Sequence, residues 1–116
     1  MARLKITVLE RTFNEEIAEA YGSAGFKAGR GFGPCPNFRD GQSFVLDGLR
    51  KPLDFCSWAW ADIHRAIRTV AFGGADDFMK VPGSALGCCT DGMKPVIFRI
   101  ERIASSEGPG HDIPED

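Results

Sequence analysis

Apolar and polar residues alternate in two stretches near the ends of the chain. Leu4, Ile6 and Val8 stand against Lys5 and Thr7, and Val96, Phe98 and Ile100 stand against Arg99 and Glu101. A period of two marks a half-buried strand, so 4–10 and 94–103 are predicted strands. Pro95 fits only near a strand start or an edge. A shorter strand is predicted at 41–46, with Phe44 and Leu46 on one face, and another at 85–89. Thr90-Asp-Gly-Met93 is a hairpin signal centred on Asp91-Gly92, which makes the last two strands antiparallel.

The period changes to that of a helix in two places. Thr12-Phe-Asn-Glu15 matches a capping box. Phe13, Ile17, Ala20 and Tyr21 follow at helical spacing, and Gly22 stands where a helix stop is expected. Trp60, Ile63, Ile67, Val70 and Ala71 form a longer apolar stripe, with Asp62, Arg65 and Thr69 on the opposite side. Asp54 or Ser57 can cap that helix, which is expected to run to Phe72 and stop at Gly73-Gly74.

Between these elements, residues 22–41 read as loop, dense in glycine with Pro34 and Pro36. Gly29-Arg-Gly-Phe-Gly33 has backbone N–H groups able to cradle an anion. Its spacing is not that of a phosphate-binding or dinucleotide loop, so a connector is the simpler reading. The order β-α-loop-β-α-β-β predicts an α+β domain. Its centre is a small, curved antiparallel β-sheet with one main helix packed on it and one short helix. The 4–10 and 96–103 strands are the natural pair, because both alternate cleanly.

The 116 residues fit one domain, and 43% hydrophobic with 26% charged residues is a globular composition. No apolar run is long enough to span a bilayer. Lys5 and Glu10 bracket only four uncharged residues, so no signal core opens the chain and a cytoplasmic location is expected. A net charge of −2 argues against nucleic acid as a partner. Glu107, Asp112, Glu115 and Asp116 concentrate negative charge in 105–116, leaving residues 1–104 near neutral. That segment is expected to be a solvated acidic tail beyond a single domain at 1–104.

The candidate chemistry lies in four cysteines, Cys35, Cys56, Cys88 and Cys89. None forms a Cys-x-x-Cys pair, so neither a zinc ribbon nor a thioredoxin motif applies. Each stands beside structural punctuation: Pro34-Cys35-Pro36, the start of the long helix for Cys56, and the hairpin for Cys88-Cys89. The free N–H groups and the positive dipole end at a helix start favour an ionised thiol at Cys56. Adjacent strand residues face opposite ways, so one of Cys88 and Cys89 is expected to share a site with Cys56. Asp91 is either a second acid/base or a turn residue. Trp58 can wall a pocket near Cys56, and Arg65 and Arg68 can attract an anion or lie on a solvated face. His64 follows Cys56 by eight residues, an axial rise of about 12 Å, so one metal cannot bridge the two. His64 is therefore a binding candidate only as a residue at the edge of the stripe, and His111 belongs to the tail.

Several blocks together resemble one family. They are Lys5-Ile-Thr-Val-Leu9, Thr12-Phe-Asn-Glu-Glu16, Gly33-Pro-Cys35, Gly41-Gln-Ser-Phe44, Phe55-Cys-Ser-Trp-Ala-Trp-Ala-Asp-Ile63, Phe72-Gly-Gly74 and the stretch from Cys88-Cys-Thr-Asp-Gly92 to Ile103. This pattern is similar to that of a family of small microbial proteins marked by Cys-Ser-Trp-Ala-Trp and Cys-Cys-Thr-Asp-Gly motifs. The resemblance covers about residues 4–103. It implies that Cys35, Cys56 and Cys88/Cys89 belong to one set, and it implies no activity.

Three functions compete. The first is a small-molecule enzyme with a cysteine-centred pocket. Cys56 would be its thiolate or acid/base group and Asp91 a second acid/base, with Cys35, Trp58, Cys89 and His64 lining it. A chain this short holds only a shallow pocket, which a homo-oligomer interface would complete. The second is a zinc or iron–sulfur protein ligated by Cys35, Cys56, Cys88 and Cys89. The third is an accessory interaction subunit whose cysteines fill its core.

Overall fold

Two strands from opposite ends of the sequence form the middle of the sheet. β1 (Arg3–Arg11) pairs with β4 (Val96–Ile103) antiparallel, from Arg3 opposite Ile103 to Arg11 opposite Val96. These belong to the computed structural model, which describes residues 3–29, 31–74 and 76–104. β2 (Ser43–Leu46) lies on the far side of β1 and β3 (Ser84–Cys88) on the far side of β4. The order is β2-β1-β4-β3, with all pairs antiparallel. The acidic tail expected at 105–116 lies outside the described residues.

The alternation in β1 and β4 does what its period requires. Leu4, Ile6, Val8, Val96, Phe98 and Ile100 are all fully buried on one face. The register slips between Val8 and Glu10, so Leu9 is an extra residue and stays 43% exposed. The ladder continues past β1, where the Thr12 N–H donates to the Pro95 carbonyl and the Asn14 N–H to the Met93 carbonyl.

α3 (Ser57–Ala71) covers the apolar face and packs on β1, β3 and β4. Ile63, Ile67, Val70 and Ala71 of the predicted stripe are buried, and Ala59 and Ala66 fill the close approaches. Trp60 is only half-buried and sits at the edge of the core. The helix is capped by neither Asp54 nor Ser57. Cys56 holds the N-cap position in extended backbone, and its side chain makes no capping bond. The other end stops at Phe72 and Gly73, where a φ of +88° suits glycine. Arg102 of β4 adds a tie there, donating from Nη1 to the carbonyls of Val70 (2.9 Å) and Gly74 (3.1 Å).

The fold is α+β, with one main helix on a four-stranded antiparallel sheet. Four local expectations need correction. The capping box does not form. α1 (Glu15–Tyr21) starts after Asn14, whose amide instead donates to the Gly92 carbonyl, while the Thr12 hydroxyl pairs with Glu10. The predicted apolar face of α1 is also open: Ile17 is 50% and Tyr21 81% exposed, and only Ala18 is buried. The glycine-rich region holds a short helix, α2 (Ala24–Ala28), capped by the Ser23 hydroxyl accepting from the Phe26 N–H. Finally, β3 and β4 are joined by the longer loop 89–95 rather than a two-residue turn. Gly92 does not take the positive φ such a turn needs, and Asp91 shapes the loop with its side chain.

Candidate functional site

Three distant segments meet at the start of α3, and each carries a cysteine. The first is fixed by aromatic packing. Phe55 is buried among Phe38, Phe44, Phe98 and Trp60, with ring centroids 4.9–5.6 Å away. Lys51 secures the same turn by donating to the carbonyls of Pro52 and Phe55. With Phe55 anchored and the Cys56 carbonyl accepting from the Trp60 N–H, Cys56 has one place to stand.

The second segment is the Pro34-Cys35-Pro36 loop. Phe38 inserts into the same aromatic cluster, 5.1 Å from Phe55 and 5.2 Å from Phe98. Arg11 of β1 holds the backbone, with Nη1 donating to the Cys35 carbonyl at 3.1 Å and Nε paired to Asp40 at 3.2 Å.

The third segment is the loop after β3. The Cys89 N–H donates to the Val96 carbonyl. The next residue is clamped to α3: the Thr90 N–H and hydroxyl both donate to Asp62 Oδ2, at 2.8 and 2.9 Å. The Trp58 indole donates to the Thr90 hydroxyl at 2.8 Å. Trp58 and Asp62 are one helical turn apart on α3, so both face the same loop.

Cys35, Cys56 and Cys89 thus line one cavity, together with Phe38, Trp58, Asp91 and Lys94. Its volume is 40 Å³. A water molecule needs about 10–15 Å³ of such space, and ligand pockets span about 300–1,000 Å³. The cavity therefore admits two or three heavy atoms, or the tip of something larger. A wide open groove along α1 is bounded by Asn14, Ile17, Ala20 and the carboxylates of Glu15, Glu16 and Glu19, and it holds no thiol.

The cysteine set divides. Cys89 is the member of the adjacent pair that lines the cavity. Cys88 is exposed, donates its thiol hydrogen to the Cys89 carbonyl, and does not line the cavity. Desolvation of its sulfur pushes the Cys88 thiol above its ordinary value, and the charges of Cys89 and Asp62 push the same way. Among the described residues, no three of His, Cys, Asp and Glu are placed to hold one metal ion.

Other candidates fall differently. Trp58 does wall the cavity, as its position suggests. Asp91 lines it too, but its Oδ1 accepts from the N–H groups of Met93 and Lys94, so this oxygen serves the turn. His64 is not brought to the cavity. It leans on Trp60, ring centroids 5.6 Å apart, with Nδ1 buried and without a hydrogen-bond partner. Arg68 stacks over Phe72 and Arg65 is exposed, which is the solvated-face reading. His111 lies outside the described residues.

Sequence reasoning missed two contributors. Asp62 reads as an ordinary polar residue on the outer face of a helix, and only its one-turn spacing from Trp58 hints otherwise. Lys94 reads as the start of a strand, yet its ammonium donates to the Gly31 carbonyl at 2.8 Å and lies 5.3 Å from the Phe26 ring. It ties Gly31, in the glycine-rich region, to a residue that lines the cavity.

Comparison of the chain with protein-family models, with curated proteins and with solved structures gives no match.

Proposed function

We propose that this protein performs thiol chemistry on a very small ligand, with Cys56 as the reacting sulfur and Cys35 and Cys89 as companion thiols. The observation that carries this reading is the convergence of three cysteines from three separate segments on one 40 Å³ cavity. Core filling alone does not call for that. None of the three is fully buried, and all pack at the edge of the core rather than within it.

Cys56 is favoured among them by its position. It caps α3 with its backbone only, so its sulfur is not spent on capping. The unpaired N–H groups of a first helical turn are available to an atom that gains negative charge beside them. The cavity size restricts the partner to a compact electrophile or to the narrow end of a larger substrate.

The test is alkylation of the native protein by iodoacetamide, with the rate at each cysteine read by mass spectrometry. Cys56 is expected to label first at neutral pH. Cys56→Ser is expected to remove the fast phase at little cost in thermal stability. Slow labelling of Cys56 in metal-free protein, together with a large loss of stability in Cys56→Ser, would overturn the reading.

A second reading draws on the same convergence. Three soft donors facing one space are what zinc or an iron–sulfur cluster would use, with Asp91 or an external group as the fourth ligand. The donors would have to close in to share an ion. Metal analysis and a visible spectrum of anaerobically purified protein separate the two: stoichiometric zinc or a brown colour selects the metal.

A further inference from the structure

The three thiols around the cavity differ in what their segments are tied to, and this difference has a chemical outcome. Cys35 lies between Pro34 and Pro36, its carbonyl is held by Arg11, and Phe38 pins the loop in the aromatic core. Two prolines fix their own φ and restrict the residue before each. Cys89 opens the 89–95 loop, which contains no proline before Pro95. Its N–H donates to the Val96 carbonyl, and the next residue ties it to α3: the Thr90 N–H and hydroxyl both donate to Asp62, and the Trp58 indole donates to the Thr90 hydroxyl. A disulfide demands a Cα separation of about 4.4–6.8 Å and a defined torsion, so the segment already bonded to the first turns of α3, rather than the one held to β1, is the one placed to close it.

We infer that Cys56 and Cys89 form a reversible disulfide when the protein meets a hydroperoxide, an oxidant small enough for the cavity. The inference rests on the thiol reading and adds the substrate class and the second sulfur. The Cys56 thiolate attacks the nearer peroxide oxygen. An S–O bond forms, the O–O bond breaks, and the departing oxygen takes a proton to leave as water or an alcohol. Cys56 is then a sulfenic acid. The Cys89 sulfur attacks the Cys56 sulfur, the S–S bond forms, the S–O bond breaks, and the hydroxyl leaves as water with the Cys89 proton. Two thiols have given two electrons and the peroxide has been reduced. A low-molecular-weight dithiol restores both thiols by exchange.

Closing this bond pulls Cys89 toward the helix start and so loads the Trp58–Thr90–Asp62 bonds. Trp58 is 56% exposed and hydrogen-bonded only one residue away from Cys89, so its emission reports the change.

The experiment uses the full chain carrying Cys88→Ser, which lies outside the cavity and removes the adjacent-cysteine alternative. The reduced protein is treated with one equivalent of hydrogen peroxide, digested without reduction, and mapped by mass spectrometry. The expected result is a Cys56–Cys89 cross-link with a mass loss of two hydrogens, a shift in tryptophan emission, and reversal of both by dithiothreitol. In a second variant that also carries Cys89→Ser, the cross-link is lost and Cys56 is trapped by a sulfenic-acid reagent. A Cys35–Cys56 cross-link in either variant would overturn the inference. So would absence of any cross-link while Cys56 still alkylates quickly, a result that leaves the thiol reading standing. If Cys56 neither alkylates quickly nor oxidises, both fall.

Discussion

Helices α3 and α1 both carry apolar residues at helical spacing, yet only α3 lies on the sheet. On α3 the stripe meets the apolar faces of β1, β3 and β4, and Ile63, Ile67 and Val70 are buried. On α1 the equivalent residues meet nothing of the kind, and Ile17 and Tyr21 stay in solvent. α1 is a seven-residue helix hung on the edge of the β1–β4 ladder by the Asn14 bonds to Gly92 and Met93. An apolar stripe is thus a request for a partner, and the chain has one sheet face to offer. The longer helix occupies it.

The sharpest way to break this contrast is to shorten one apolar residue of the stripe on each helix. Ile67→Ala is expected to cost about 2–5 kcal/mol in urea unfolding, because the residue is fully buried and a cavity remains. Ile17→Ala is expected to change stability by less than about 0.5 kcal/mol. Equal effects would mean that α1 is docked on something. Between these limits lies Gly87→Ala. A Cβ at Gly87 would stand 2.8 Å from Ile63 Cγ2 and 3.0 Å from its Cβ. The helix would have to lift, at a cost of about 1–3 kcal/mol in the same assay. A neutral result would show that α3 sits further from β3.

Smaller still is Arg102→Met, which keeps the apolar stem and removes the bonds to the Val70 carbonyl in the last turn of α3 and to the Gly74 carbonyl just beyond it. A loss of about 1–2 kcal/mol is expected, with faster amide exchange confined to the last turn of the helix. The smallest effect belongs to Cys88. Its thiol is held above the ordinary value, so the unfolded chain ionises first as pH rises, and the folded state loses ground from about pH 8.5 upward. Below that both states are neutral at this group and it has no effect. Cys88→Ser should flatten the alkaline limb of a plot of melting temperature against pH. In labelling, Cys88 should be slower at neutral pH than its exposure suggests.

The same contrast explains what was legible in the sequence. β1, β4 and α3 bury one complete face each, so their periods of two and of helical repeat are undisguised. α2 escaped notice because Ala24–Ala28 is five residues long and flanked by glycines, and its helix depends on the Ser23 cap. The false capping box at Thr12 has a different cause. Thr12 is still bonded to Pro95 across the sheet, and a residue committed to a ladder cannot start a helix. At the site, alternation on a strand separates Cys88 from Cys89 but cannot say which side carries the helix start. That depends on the register of β3 with β4. Asp62 and Lys94 had no local signature, because both act on loops far away in sequence.

One feature of the sheet bears on how the chain assembles. Among the described residues, the two central strands are the first and last elements, and Arg3 lies directly opposite Ile103. During synthesis β1 leaves the ribosome early and has only β2 to pair with until β4 emerges, so the middle of the sheet closes last and across the longest possible loop. The neighbouring positions of 3 and 103 also make the domain suitable for circular permutation. A short linker joining them, with new ends opened at the fully exposed Leu53, would turn the most distant strand pairing into a hairpin. Such a permutant would fold faster than the natural chain while keeping the three thiols where they are.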